Sequence, residues 1–428
     1  MYYETIKHHK RSLEIKAEII CVGTELLLGE IVDTNSAEIA RIVNSLGIDV
    51  FRKVTVGDNL SRIKDALKDA LSRAELVIIS GGLGPTEDDI TKEAVSEFLG
   101  RKLILDKGIF EKIKEKLSRY RVSEEAILRQ SLVPSAAKTL LNPVGIAPGI
   151  IIEEKEKVII LLPGVPHELK AMLPQLKKYL SYKVKSNLVT KSRILKVWGM
   201  GESQVNEKIV SLMSQKNPTV ALLAKKGEVH IRITAQFPPE EVDSRIETTE
   251  KVIREKLGDY IFGADDDTLE GIVAELLIKK NLTISLAESC SGGLVSHRLT
   301  DIPGISVSFL AGVVSYSNEA KSEILKVPAK LIKEKGAVSS EVARRMAQGV
   351  RNITGSSISL GITGIAGPGG ATPEKPVGLV YIALCTDEGE LCNRYFFFGT
   401  REMIKWRTSQ AALDILRRYL LNKINFKS

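Results

Sequence analysis

The chain has 428 residues, 43% of them hydrophobic and 27% charged, with a formal net charge of +8. That length exceeds what one hydrophobic core serves, so several domains are expected, and the longest apolar runs (158–162 and 302–314) are strand-sized, which argues against a membrane-spanning helix. The positive excess is spread thinly along the chain, so it makes no nucleic-acid footprint.

Cys21, Cys290, Cys385 and Cys392 form no Cys-x-x-Cys pair and have no metal-like spacing, so a reducing cytoplasm is the expected compartment. Residues 1–16 carry Tyr2, Tyr3, His8 and His9 with no clear period and read as a tail. From 17 to 184 short apolar runs alternate with helical patterns. Strands are predicted at 18–22, 49–56, 75–80 and 158–162, and helices at 35–46, 60–72, 90–99 and 167–180. This alternation predicts βαβ units and a mostly parallel sheet. Residues 185–262 change to β-α-β-β-α, a small α+β domain. Residues 263–267 read as a linker or a capped helix start. Residues 268–428 return to α/β patterning, and the whole segment 263–428 is expected to be a third domain ending in a helix at 401–422.

Two segments carry chemistry. Gly81-Gly82-Leu83-Gly84-Pro85-Thr86-Glu87-Asp88-Asp89 follows a strand and precedes a helix. Glycines let a backbone approach a phosphate, and a helix start supplies N–H donors. Asp88 and Asp89 would repel a bare phosphate, a conflict that a divalent cation removes; one of them could equally cap the next helix. Glu25, Asp33 and Asp58 are further acid candidates, and Asn35 closes the upstream motif Gly23–Ser36 with its neighbour.

The second segment is Ala287-Glu288-Ser289-Cys290-Ser291-Gly292-Gly293, placed after an apolar run. A strand ending in Ser-x-x-Gly-Gly is a tight turn opening a helix. It would lift the Ser289 hydroxyl clear and aim the first helix N–H groups above it. His297 lies two turns into that helix, out of reach as a base. Lys321, with its pKa lowered by burial, is the candidate base, and Tyr316 a proton relay or oxyanion donor. Cys290 reads as a small buried hydrophobe rather than a nucleophile.

The order of Ala-Glu-Ser-Cys-Ser-Gly-Gly, Tyr-Ser-Asn-Glu-Ala-Lys (316–321), Gly-Ala-Val-Ser (336–339), Gly-Ile-Thr-Gly-Ile-Ala-Gly-Pro-Gly-Gly (361–370), Glu-Lys-Pro-Val-Gly (374–378) and Gly-Thr-Arg (399–401) resembles the C-terminal domain of the CinA family. Ser291 is a departure, since the family more often has Thr there. The resemblance implies a nicotinamide mononucleotide deamidase needing no cofactor, with Ser289 as nucleophile, Lys321 as base and Tyr316 as supporting hydroxyl. It maps Gly292, Gly293, Thr363, Gly364 and Arg401 to substrate contacts; a guanidinium at a helix start also suits a 5′-phosphate.

The first domain resembles the molybdopterin-binding fold, again in CinA wording. For CinA this implies hydrolysis of ADP-ribose to AMP and ribose 5-phosphate with magnesium, cobalt or manganese. Gly81, Gly82, Gly84, Asn35 and Asp58 would contact substrate, and Asp88, Asp89, Glu25 and Asp33 the metal. Molybdopterin is the rival occupant. The middle domain corresponds to the family's KH-like domain. Gly199-Met200-Gly201 is not the Gly-x-x-Gly clamp of nucleic-acid KH modules, and Trp198 and Phe237 form no aromatic platform. A spacer or dimerisation role is expected there, and the family implies a homodimer. The expected molecule is a bifunctional cytoplasmic hydrolase of pyridine-nucleotide salvage that binds neither membrane nor nucleic acid. The rival reading is a non-catalytic partner in DNA uptake or repair.

Overall fold

The computed structural model describes residues 15–118, 123–183, 188–424 and 426; all but the last two residues of the expected tail lie outside them. Packing divides the chain into two compact units. One reaches to Lys191 and includes Gln236–Asp243; the other comprises Ser192–Ala235 and the chain from Ser244 onward.

The first unit contains β1 (Lys16–Val22), β2 (Asp49–Val56), β3 (Leu76–Ser80), β4 (Leu103–Leu105), β5 (Leu132–Pro134), β6 (Lys138–Leu140), β7 (Gly149–Glu154) and β8 (Lys157–Leu162). Six of these form a sheet in the order β2-β1-β3-β8-β7-β6, while β4 and β5 pair as a separate ribbon. The first four are parallel, as the alternating pattern predicts. The edge formed by β7 and β6 is antiparallel. Helices Asn35–Ser45 and Pro166–Lys183 cover one face, and Leu60–Leu71 and Thr91–Leu99 the other. Hence β3 is buried at every position and reads as a continuous apolar run. The chain runs from β1 to β2 on one side and resumes at β3 on the other. This reversal opens a crevice at the carboxyl ends of the strands, where open α/β sheets bind ligands.

The middle segment adds β9 (Val189–Val197), β10 (Thr219–Lys225), β11 (Glu228–Phe237) and β12 (Ile261–Ala264), ordered β10-β11-β9-β12. Of the two readings of 263–267, the capped helix start holds and the linker does not. Ile261 and Phe262 are buried, and β12 pairs antiparallel with β9. The Asp-rich stretch then closes a turn: Asp265 accepts from the Ile194 N–H at 2.9 Å and Asp267 from the Ala264 N–H at 2.8 Å. Thr268 caps the helix Leu269–Lys279.

The C-terminal sheet holds β13 (Ile284–Glu288), β14 (Phe309–Val314), β15 (Ile358–Gly364), β16 (Leu379–Cys385) and β17 (Glu390–Phe396), in the order β14-β13-β15-β16-β17. The first three are parallel and the last two continue antiparallel. Helices Leu269–Lys279, Leu294–Thr300 and Arg401–Leu420 pack on one face, and Ser340–Thr354 on the other. Gly361 permits the close approach of Ser340–Thr354, since a β-carbon there would lie 2.1 Å from the Ala343 carbonyl oxygen. Among the described residues no helix is long and apolar enough to cross a membrane.

Candidate active site

β13 is buried at every residue and delivers Ser289 at its carboxyl end, between β14 and β15. The Ser289 N–H donates to the Ile362 carbonyl at 2.9 Å, and the Gly292 N–H returns to the Ser289 carbonyl at 3.1 Å. Gly292 and Gly293 have φ of 63° and 88°, the left-handed region that side chains other than glycine rarely adopt, so the turn needs both.

Lys321 meets this turn from the short helix Asn318–Glu323, which Ser317 caps. Its side chain is almost wholly buried at 1% exposure, and its Nζ lies 3.1 Å from the Ser289 Oγ. The ammonium also donates to the carbonyls of Ser315 at 2.8 Å and Tyr316 at 3.2 Å. The Ser317 carbonyl lies farther off at 3.5 Å, so three carbonyls and one hydroxyl surround the three donors. Loss of a proton leaves a lone pair on a nitrogen within hydrogen-bond distance of the Ser289 hydroxyl. Burial holds the Lys321 pKa below the usual lysine value. Cys290, its neighbour in the turn, is pushed up to about 12 by burial and carries no reactive thiolate.

Two expectations are corrected. The first N–H groups of helix Leu294–Thr300 do not face the serine: Val295 and Ser296 donate to the fully buried Glu288 carboxylate at 3.2 and 2.8 Å, and the Ser296 hydroxyl joins them at 2.7 Å. A buried carboxylate needs such donors, and the helix start is the nearest source. The Tyr316 hydroxyl turns away from the pair and accepts from Arg401 Nη2 at 2.7 Å, while only its carbonyl touches Lys321.

Arg401 opens the helix Arg401–Leu420 behind the Thr400 cap and also donates to the Gly367 carbonyl at 2.6 Å. It therefore joins the loop after β14 to the glycine-rich loop after β15. Thr363 is buried on β15 and donates to the Ala337 carbonyl at 2.8 Å, leaving its oxygen only as an acceptor. Gly364 backs onto the serine turn, where a β-carbon would lie 3.0 Å from the Cys290 sulfur. Lys405, not singled out in the sequence, lays its Nζ 3.4 Å from the place of a Gly292 β-carbon. The signal for it is helical spacing, four residues beyond Arg401. His297 is exposed beside Asp301.

The first unit holds a cavity of about 660 Å³ at the carboxyl ends of β1, β3 and β8. Gly81, Gly82 and Gly84 line it together with Glu25, Asp33, Asn35, Asp58, Asp88 and Asp89. Gly81 is required by space: a β-carbon would sit 2.1 Å from the Val22 carbonyl oxygen. Asn35 donates to the Gly164 carbonyl at 2.6 Å and the Ser80 hydroxyl at 3.1 Å, and its buried Oδ1 has no partner.

The four acids expected at the metal do not form a single cluster. Among the described residues no three His, Cys, Asp or Glu side chains come together to hold a metal ion. Several of the cavity acids also serve local turns. Asp33 accepts from the Ser36 N–H at 2.9 Å, Asp58 from the Thr24 N–H at 2.8 Å and Asp89 from the Thr86 N–H at 3.0 Å. Glu25 folds back over Gly23. Asp88 is exposed, and the Thr86 hydroxyl lowers its pKa. Hard oxygen donors of this kind fit a cation shared with substrate phosphates, which needs only one or two carboxylates. Glu168 also lines the cavity, held by the Asn142 amide at 2.7 Å; its place in the Pro-Gly-Val-Pro-His-Glu run gave topology but no chemical signal.

Residues 266–420 match the family described as CinA C-terminal domain, and 192–263 the Damage-inducible protein CinA KH domain. Residues 18–182 match the "Probable molybdopterin binding domain". A CinA-like protein of Dictyoglomus thermophilum is 47% identical over 417 residues, covering 95% of this chain and all of its own length. The chain belongs to the CinA family. A CinA-like protein of Kosmotoga olearia is 46% identical over 415 residues, 95% of this chain and 99% of the relative. The solved CinA protein of unknown function from Thermoplasma acidophilum is 37% identical with a TM-score of 0.37, covering 39% of this chain and 98% of its own. The CinA architecture is thus a molybdopterin-binding-like α/β domain, a KH-like domain and the CinA C-terminal domain.

Proposed function

We propose that this CinA protein deamidates nicotinamide mononucleotide to nicotinic acid mononucleotide and ammonia at Ser289. The observation that carries the reading is the buried Lys321 amine 3.1 Å from the Ser289 hydroxyl. Neutral Lys321 takes the hydroxyl proton as Ser289 Oγ bonds to the carboxamide carbon. The resulting oxyanion would be served by turn N–H groups other than those of Ser289 and Gly292, which are engaged, since Glu288 takes those of Val295 and Ser296. Lys321 then returns the proton to the nitrogen, the C–N bond breaks and ammonia leaves. Water, deprotonated by the same amine, hydrolyses the acyl-serine. Arg401 and Lys405 supply positive charge for the 5′-phosphate. The test is ammonia release from nicotinamide mononucleotide by the full chain. Ser289→Ala and Lys321→Ala should each lower it by about 10³-fold or more; activity retained in either variant removes the serine mechanism.

For the first domain, the glycine-lined cavity beside Asp88 and Asp89 supports hydrolysis of ADP-ribose to AMP and ribose 5-phosphate. Asp88 and Asp89 would hold a magnesium, cobalt or manganese ion, which neutralises pyrophosphate charge when bound. AMP formation lost in Asp88→Ala, with ammonia release intact, is the expected result. Tight molybdopterin binding without AMP formation would favour the rival occupant. A homodimer and a cytoplasmic site of action belong to the same proposal.

A further inference from the structure

We propose that the tip of the β10–β11 hairpin, residues 225–228 of the KH-like domain, is a positioning element for the Ser289 site; the inference rests on the amidase reading above. The tip grips the helix Arg401–Leu420 along one stripe. Lys226 pairs with Glu402, the Trp406 indole N–H donates to the Lys226 carbonyl at 2.7 Å, and Gln410 donates to Glu228 at 2.5 Å. Positions 402, 406 and 410 follow the four-residue spacing of a single helix face. Arg401 and Lys405 stand on the stripe one residue earlier, about 100° around the axis. A helix that rolls under the hairpin therefore moves Lys405 beside the serine turn and Arg401 between the loops after β14 and β15.

A second contact fixes the same helix to the nucleophile's own support. Trp406 is covered by the Arg298 guanidinium, 4.3 Å from the ring centroid, and by the Lys226 ammonium at 5.1 Å. Arg298 belongs to the helix Leu294–Thr300 directly after the serine turn. It is buried and donates to Glu270, Ser409 and Gln410 at 2.6, 2.7 and 2.6 Å. Trp406 and Gln410 thus touch the hairpin on one side and Arg298 on the other. Gly227 is what lets the tip approach: its φ is +78°, and a β-carbon would lie 3.3 Å from Trp406 and 3.5 Å from Trp198. The exposed Lys226–Glu402 pair contributes little by itself, so Trp406 and Gly227 are the levers.

The experiment uses the full chain with nicotinamide mononucleotide as substrate. Trp406→Phe removes the indole N–H and keeps a ring, and Gly227→Val wedges the tip away. Each should raise KM by about fivefold with kcat within twofold, because a small misplacement of binding groups suffices. The double variant should be no worse than the worse single one, since both act through the same contact. Amide hydrogen exchange over residues 399–405 should speed up in both, an arm that requires no substrate. KM unchanged in both variants of an active enzyme, a fall in kcat alone, or unchanged exchange overturns the inference. A wild-type chain that releases no ammonia counts against the amidase reading, and the exchange arm still decides the positioning role.

Discussion

Lys321 is an acceptor for the Ser289 proton only when neutral, and its environment sets how often that is. Burial disfavours the ammonium, so the folded pKa lies below the ordinary lysine value, and the neutral fraction near pH 8 exceeds that of a free lysine. Ammonia release should therefore rise with pH through this lowered pKa and level off above it. A pH profile of kcat/KM measures the limb, and a profile with no rise anywhere below the ordinary lysine value would count against Lys321 as base. Lys321→Arg is a sharper test of the same point. A guanidinium keeps the charge but never loses its proton in this range. Activity should fall by about 10³-fold at every pH, with the substrate KM little changed. Tyr316→Phe separates the two roles assigned to that residue. Its hydroxyl meets Arg401 and not Ser289, so KM for nicotinamide mononucleotide should rise by roughly three- to fivefold while kcat stays within twofold, the pattern of lost ground-state binding. A large fall in kcat would instead place the phenol in the proton path.

At the scale of elements, the turn after β13 depends on a residue with no candidate role in the sequence. Glu288 ends the strand, is fully buried, and receives two main-chain N–H groups and a hydroxyl from the helix that follows. Replacing it with Gln keeps the shape but points an NH2 group at donors. Glu288→Gln should cost about 2 kcal/mol, the scale of a charge-assisted hydrogen bond to a buried acceptor. Denaturant unfolding of the full chain, followed at the transition of the C-terminal domain, measures it; an unchanged midpoint would mean the helix start has other partners. Glu288 also marks where sequence reading stopped. The strand–turn–helix order was legible because an apolar run and two glycines are local signals, and the Ser289–Lys321 partnership was legible through the order of motifs that resembles the CinA family. The partner of a buried carboxylate is a long-range fact of packing. The same holds for β12, whose buried Ile261 and Phe262 are too short a run to declare a strand, and for the antiparallel edges β6–β7 and β16–β17. Acid clusters misled in the opposite direction. Asp33 and Asp58 look like ligands in a list of acids, but short polar side chains beside free N–H groups are also what turns and helix starts require.

For the whole molecule, the two reactions proposed above have different needs and fall in separate domains of one chain. The serine site draws its reactivity from a desolvated amine and requires no cofactor in the proposed reaction. The cavity of the first unit sets acids beside a glycine loop, and in the proposed reaction a cation would join them to the substrate phosphates. Removal of divalent metal should therefore divide the activities cleanly. With a chelator such as EDTA in excess, AMP formation from ADP-ribose should stop and return on adding magnesium, manganese or cobalt, while ammonia release from nicotinamide mononucleotide stays within twofold. Ser289→Ala should give the mirror image, with ammonia release lost and AMP formation unchanged. Measuring both products in one reaction mixture makes the comparison internal. If chelation silences both activities, the serine site depends on a metal-loaded first domain and the two sites are coupled. If it silences neither, Asp88 and Asp89 serve the loop's fold, as the Asp89–Thr86 bond does, and the cation assignment falls with the pyrophosphatase reading.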